Sequence, residues 1–472
     1  MPVLIYNTAS KEKEKLVPIR EGKISMFVCG QTPYDDAHLG HAKTYINFDV
    51  VARWLRHRGY AVTYIQNITD IEDKIIKRAE EQGVKPIELA RRYEKLLFED
   101  MDRIGVRKGV TEYPRSHDYI TQIRDQIQLL VDRGYAYELD GDVYFDVLKF
   151  SDYTKISGMK LEDLKKHRIE PKEGKRNPFD FALWKAAKPS DDAQWEIVLK
   201  FSGNEKRLSG RPGWHIEDTA IAHHFFGAQY DIHGGAIELI FPHHTNEIAQ
   251  AEAAYGIKPY VRYWMHSGVL NIKGVKMSKS LKNFIKIRDI IDRYPPEALR
   301  LMVCTAHYRS EIEYSEDLMK EALRRLAYIR AAVGSIYNMN EAEGASGPVG
   351  LGAQFQRFEE AMDDDFNTPM ALAALYEAAA KMRAFSENNN SISATSKEEA
   401  VSGFVGTAHI LGLLEDESYK KGIPVEARRL ISERERLRAK KLFSEADKIR
   451  TALQKGYNIT LEDTSYGTVW YR

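Results

Sequence analysis

Along the first third of the chain the apolar positions switch between two periods. Residues 24–29 (ISMFVC) form a mostly apolar run of the length of a buried strand. A polar loop follows, GQTPYDDAHLGHAK, and then DVVARWLRHRG spaces its apolar residues at the helical period. YAVTYIQNI reads as a second strand, and TDIEDKIIKRAEEQG returns to helical spacing. Strand, helix, strand at this spacing is a βαβ unit and predicts a parallel sheet. Residues 85–133 are mostly helical by period. GDVYFD (141–146) predicts a strand within an insertion rich in Lys, Asp and Pro, and residues 214–241 predict a second strand-rich stretch. WMHSGVLNI (264–272) predicts another strand or hairpin arm.

From about residue 296 the pattern changes to long helices, PEALRLMVCTAHY and then SEDLMKEALRRLAYIRAAVGSIY. EAEGASGPVGLGA reads as a Gly-rich linker. A further helix pair is split by the polar stretch SENNNSISATSKEE (386–399), which predicts a mobile loop. The chain ends in GYNITLEDTSYGTVWYR, two short strands around a turn.

Composition narrows the class. At 472 residues the length suggests about three domains. Hydrophobic residues make up 43%, which excludes a wholly disordered chain. No apolar run reaches the ~18 residues of a membrane span, and MPVLIYNTASKEKEK lacks the order of a signal peptide. Two cysteines, Cys29 and Cys304, are too few for a disulfide framework, so the expected location is cytoplasmic. Lys plus Arg and Asp plus Glu are both 69, so no global charge draws nucleic acid. The local exception is residues 421–472, with 12 Lys/Arg against 7 Asp/Glu. Cys304, inside LRLMVCTAHY, reads as a buried small hydrophobe.

Two motifs carry chemistry. His38-Leu39-Gly40-His41 follows a strand and opens a helix. Two imidazoles three residues apart share one face of a first turn, where the dipole favours anions. Gly40 leaves room for a ligand to approach the backbone. Alone, this spacing suits two surface or core histidines equally well. Lys276-Met277-Ser278-Lys279-Ser280 lies in a polar loop after the last strand of the expected sheet. Two lysines on such a loop can place positive charge over a triphosphate, and phosphoryl chemistry depends on charge stabilisation. Alone, it also suits a solvated basic loop. A third pattern, His243-His244-Thr245-Asn246-Glu247, holds a His and a Glu at i and i+4 on one helix face, a spacing fit for metal but common by chance. Seven of the 14 histidines fall between 215 and 266.

HLGH and KMSKS together resemble class I aminoacyl-tRNA synthetases. VCGQTPYDDAHLGHAKTYINFD, NITDIEDKII, GRPGWHIE, DIHGG, FPHHTNEIAQ, MHSG, KMSKSLKNF and MDDDFNTP resemble cysteinyl-tRNA synthetases block by block, and the C-terminal end is similar to that family's anticodon-reading tail. The resemblance implies an α/β fold: a doubly wound, Rossmann-like parallel-sheet catalytic domain over 1–300 with an insertion at roughly 115–205. A stem-contact segment and α-helical anticodon-binding bundle over 301–420 and a small α+β module over 421–472 would follow. It implies ATP-dependent ligation of L-cysteine to tRNA through a cysteinyl-adenylate, by a monomer with no membrane. His38, Gly40, His41, Lys276 and Lys279 would bind ATP, accompanied by Mg2+. His38, His41, Lys276 and Lys279 would be catalytic. Thr69, Trp214 and Glu238 would meet the amino acid, and His215 and His233 would join the pocket floor.

The resemblance also implies one Zn2+ held by Cys29, Asp218, His243 and Glu247. Asp218 is a departure, since the family has Cys where this chain reads GWHIEDTA. The formal ligand charge stays at −3, and carboxylate is an ordinary zinc ligand. The harder oxygen should weaken the preference for zinc over harder metals. Glu238 is a second departure, where the family usually has Asp. Two other readings share the motifs: a synthetase homologue with a changed amino acid, and a cysteine ligase acting on a small amine. A non-catalytic RNA-binding relative is disfavoured by intact HLGH and KMSKS. The small-amine reading leaves the bundle and basic tail unexplained.

Overall fold

The computed structural model describes residues 2–159, 172–188, 194–272, 274–276, 284–420, 424–457, 459–464 and 467–471. The chain divides into two compact units, one of residues 2–289 with 308–312 and one of residues 290–307 with 313–472.

The first unit is built on a parallel sheet. Strand β1 (Lys23–Gln31) leads through helix α1 (Leu39–His57) to β2 (Ala61–Ile68), the expected βαβ unit. After the insertion come α2 (Trp214–Phe226), β3 (Tyr230–Ala236), α3 (Thr245–Tyr255) and β4 (Val261–Ser267). Their order across the sheet is β2-β1-β3-β4, all parallel, with Met26 opposite both Tyr64 and Ile232. Buried Ile24, Met26, Phe27 and Val28 show why β1 reads as a continuous apolar run: it is covered on both faces. The strand order reverses between β1 and β3, which opens a crevice at their C-terminal ends. Cys29 and His233 lie on those two strands.

The insertion forms a five-stranded antiparallel sheet in the order Ala136–Leu139, Asp142–Phe145, Phe181–Ala186, Asn204–Pro212, Trp195–Phe201. Its first hairpin turns at Asp140-Gly141, both at positive φ, the Asp-Gly pairing such a tight turn demands. Val143, Phe145, Leu183, Trp184 and Leu199 pack with Ile123, Ile127 and Leu130 of the helix Ile120–Asp132. The expected strand-rich stretch over 214–241 is corrected: residues 214–226 are helix α2, and only β3 is strand. Ile216 to Ala222 are all buried in succession, so α2 lacks the polar face that would reveal its period.

The second unit is helical. Glu316–Tyr337, Gly352–Asp363, Thr368–Asn388 and Ala394–Ile410 form its body, followed by Val425–Ala439 and Phe443–Tyr457. The tail ends in the expected pair of strands, Thr460–Thr464 against Gly467–Tyr471. Buried Arg434 ties the first of these to the helix Val425–Ala439, donating to both carboxylate oxygens of Asp463 at 2.8 and 2.6 Å. Two expectations are corrected here. The Gly-rich linker contributes a strand, Asn340–Ser346, paired with Ser391–Ile392. The polar stretch 386–399 is therefore no loop: it holds one helix end, that short strand, and a new helix start capped by Ser393, whose Oγ accepts from the Ser396 N–H at 3.2 Å.

Gly30 shows how tightly β1 and β2 meet at the crevice. A Cβ there would lie 1.5 Å from the Asn67 carbonyl oxygen. Gly30→Ala should cost about 3 kcal/mol, the upper range for overpacking. A lower urea midpoint at unchanged slope checks this, and an unshifted midpoint contradicts it.

Candidate metal centre and phosphate-binding helix

Three stretches of chain deliver four donors to a single buried point. Cys29 comes from the C-terminal part of β1, and Asp218 from the start of α2. His243 lies just before α3, and Glu247 sits one turn later in its first turn. One donor atom from each lies within 4.8 Å of all the others. His243 Nε2 stands 3.1 Å from Asp218 Oδ2 and 3.0 Å from Glu247 Oε1. Donors around a tetrahedral zinc with bonds near 2.0–2.1 Å lie about 3.3 Å apart, so this group is of the right size. Thiolate, imidazole and two carboxylates are all zinc ligands.

The electrostatics call for a cation. Burial and the carboxylates of Glu247 and Asp218 hold the Cys29 thiol well above its usual range. Burial raises Glu247 to about 7, against the pull of His243. Burial by itself would depress His243, yet Glu247 and Asp218 outweigh it and hold the imidazole at about 9. Three acids packed around one imidazole cannot all ionise in a low-dielectric site unless positive charge joins them. A divalent metal does so by displacing protons, which makes its binding proton-linked.

The surrounding residues aim these donors. Asn67 Nδ2 donates to Asp218 Oδ1 at 2.6 Å and to Thr69 Oγ1 at 3.2 Å. Asp218 thus binds a neighbouring amide with one oxygen while the other faces His243. Trp214 stacks on His243 with centroids 4.1 Å apart. The Nδ1 atoms of His215 and His243 are 2.7 Å apart, and burial keeps His215 neutral. A neutral His215 accepts the His243 Nδ1 proton, which leaves His243 Nε2 for the metal. Cys29 Sγ also lies 3.3 Å from His233 Nε2 and 3.2 Å from His244 Nε2, and these three with Glu247 form a second, overlapping donor group. His244 Nδ1 meets His266 Nε2 at 2.7 Å, and His266 Nδ1 meets Thr8 Oγ1 at 2.8 Å.

Asn67, His244, His266 and Thr8 escape sequence reasoning as parts of this group. Asn67 lies in the block NITDIEDKII, one residue before the end of β2 and two before Thr69, and that position was its only signal. His223 and His224 face away into aromatic packing, against Tyr255 and Tyr119. Glu238 is exposed on the turn Ile237–Leu239 that leads to His243. Cys304 is buried, as its apolar surroundings predict.

The second expected site lies at the start of α1. His38 and His41 stack with centroids 3.7 Å apart, and His41 Nδ1 accepts from the His38 N–H at 3.2 Å. Gly40 follows His38 in the first turn, where its carbonyl accepts from Thr44 Oγ1 at 3.2 Å. The start of α1 is itself pinned: Leu39 N–H donates to the Ile285 carbonyl and Ile287 N–H to the Ala37 carbonyl, both at 3.0 Å. Lys276 lies on a two-residue strand, Val275–Lys276, opposite Asn271. Lys279 lies outside the described residues.

Asp218 is the sharpest test of the metal group. Asp218→Asn removes one negative ligand and should leave the purified chain with less than about a tenth of its metal, in keeping with the loss expected around a ligand set. Elemental analysis checks this, and full retention of metal contradicts a ligand role. Asp218→Cys restores a soft donor and should raise the affinity for zinc over Mn2+ in competition.

The family "tRNA synthetases class I (C) catalytic domain" matches residues 15–324, and the "DALR domain" matches residues 357–415. The cysteine–tRNA ligase of Thermococcus gammatolerans is 44% identical, over 100% of this chain and 99% of its own length. That of Azotobacter vinelandii is 42% identical over the same shares. Among solved structures, Mycobacterium tuberculosis methionyl-tRNA synthetase with methionyl-adenylate superposes with a TM-score of 0.58 at 15% identity, over 82% of this chain and 89% of that one. Agrobacterium radiobacter K84 LeuRS, in a ternary complex with tRNA and LeuAMS, superposes with a TM-score of 0.59 at 9% identity, over 84% of each chain. These two likenesses establish the fold. Matched over more than half its length by the catalytic-domain family and along its whole length by these ligases, the chain belongs to the cysteine–tRNA ligase family of class I tRNA synthetases.

Proposed function

We infer that this chain activates L-cysteine with ATP and transfers it to tRNA. The observation that carries the reading is the buried group of Cys29, Asp218, His243 and Glu247 at the strand-order reversal of a class I synthetase fold. The cysteine carboxylate attacks the α-phosphate of ATP, pyrophosphate leaves, and cysteinyl-adenylate results. The terminal ribose hydroxyl of tRNA then attacks the aminoacyl carbonyl, and AMP leaves. A changed amino acid and a small-amine acceptor are both disfavoured by relatedness to named cysteine–tRNA ligases over the full chain.

The roles divide between the two sites. His38, Gly40 and His41, at the N-terminus of α1, hold the phosphates, and Lys276 and Lys279 stabilise the charge that grows on them. Mg2+ accompanies the ATP. Cys29, Asp218, His243 and Glu247 hold one zinc ion. When bound, zinc supplies a Lewis-acid contact that favours a thiolate over a hydroxyl. Trp214 walls the amino-acid side chain, Thr69 borders it, and Glu238 offers a carboxylate to the amine. His215 and His233 fix the orientation of His243 and Cys29. Residues 1–300 form the catalytic domain with its insertion at roughly 115–205. Residues 301–420 provide the stem-contact segment and anticodon-binding bundle, and 421–472 the anticodon-reading module. The chain acts as a cytoplasmic monomer; among the described residues no helix is long and apolar enough to cross a membrane.

The wild-type chain should catalyse pyrophosphate exchange that depends on cysteine and should aminoacylate tRNA. Serine should support exchange about 10⁴-fold less well, as for a site whose key contact the analogue cannot make. Exchange with serine within tenfold of cysteine contradicts a thiol-reading site. Lys279→Ala should cut exchange by about 10²–10³-fold with little change in cysteine KM. Near-normal exchange would remove Lys279 from the phosphate site.

A further inference from the structure

Lys43 lies in the same helix as His41, half a turn further on, and is about 1% exposed. Its three ammonium protons meet three acceptors: Ser267 Oγ at 3.2 Å, the Gly268 carbonyl at 2.8 Å and the Tyr308 carbonyl at 3.1 Å. All three are neutral. Burial, only partly offset by Glu311, brings this lysine down to about 7. A buried lysine whose ammonium is held by three neutral acceptors is a costly way to fill a core position. Leu or Met would fill the space without that cost.

The acceptors lie where β4 ends. Asn47, one turn along α1, donates to the same Ser267 Oγ at 3.0 Å. Gly268 N–H donates to the Tyr308 carbonyl at 2.9 Å, and Ile312 N–H to the Val269 carbonyl at 3.0 Å. A Cβ at Gly268 would lie 2.4 Å from the Ser310 carbonyl oxygen. The backbone from Ser267 to Val269 is thus held on one side by the segment 308–312 and on the other by α1. Directly after it, Leu270–Ile272 pairs with Val275–Lys276. Beyond the lysine motif, residues 285–287 return to pair with 37–39 at the start of α1. The chain carrying Lys276 is therefore fastened to the His38–His41 helix on both sides: by main-chain bonds after the motif, and by Lys43 before it.

We propose that Lys43 is a positioning residue for adenylate formation, holding the lead-in to the Lys276 hairpin against the helix that presents His38 and His41. The proposal rests on the reading that these two ends handle the phosphates of ATP. Its signature separates it from general scaffolding. The ATP end of the reaction should suffer, while the cysteine end, at the Cys29 group, should not.

The test uses the full chain, assayed by pyrophosphate exchange with ATP and cysteine varied separately, alongside metal content. Lys43→Met should lower kcat about 10²-fold and raise the ATP KM, with cysteine KM and metal content unchanged, the scale of loss expected from a small misplacement of reacting groups. Lys43→Arg keeps the charge and the donors and should recover kcat to within about tenfold of wild type. A Met variant within twofold of wild type in kcat and ATP KM overturns the proposal. So does a Met variant that loses metal and cysteine affinity in step with kcat. If Lys43→Met does not fold, Ser267→Ala removes one acceptor and should show the same split at about five- to tenfold, and unchanged ATP kinetics there overturn the proposal. A wild-type chain without cysteine-dependent exchange overturns the functional reading and this inference together. An active wild type with an unaffected Met variant overturns the inference alone.

Discussion

Three ionisable acids share one buried point with a single imidazole, and the rest of the site is arranged around that fact. Cys29, Asp218 and Glu247 cannot all carry charge in so dry a place without a cation among them. Each acid comes from a different element, so the group exists only when β1, α2 and α3 are in register. The sheet order supplies that register. Reversal between β1 and β3 opens the crevice, and Cys29 and His233 face into it from the two strands that flank it. Asn67 and Thr69 close the β2 side, so the fold's switch point and the proposed thiol-reading centre coincide.

Asp218 shows how far such a centre tolerates change in one ligand. Exchanging thiolate for carboxylate keeps the ligand charge, replaces a soft donor with a hard one and sets that donor one bond farther from Cα. The structure compensates by fixing the carboxylate: Asn67 holds one oxygen and turns the other toward His243. Softness is then concentrated on Cys29, which also touches His233 and His244. Both are kept neutral by burial, so each presents an uncharged ring to the sulfur. His266, backed by Thr8, orients the His244 ring from behind, and the Tyr230 hydroxyl does so for His233.

Much of this was legible in the sequence, and the parts that were not share a cause. β1, β2 and the terminal strand pair follow from apolar periodicity, because each has a clear face or a clear run. Helix α2 does not, since seven consecutive buried residues erase the 3.6 period. The polar stretch 386–399 misleads for the opposite reason: its Ser and Asn residues serve as helix ends and caps, a role composition does not distinguish from a loop. Of the site, Cys29, His243 and Glu247 are readable from spacing and resemblance, and Trp214 and Thr69 fall beside them. Asn67, His266 and Lys43 make their contacts between elements far apart in sequence. No local pattern encodes such contacts.

The central claim is that a metal at the Cys29 group reads the substrate thiol. Zinc K-edge absorption of the full chain, with and without substrate, tests it most directly. One sulfur should be found in the zinc shell of the free protein, from Cys29 alone, because Asp218 contributes oxygen. Addition of L-cysteine should raise the count to two, and L-serine should leave it at one. A protein without zinc, or a sulfur count that cysteine does not change, would contradict the account.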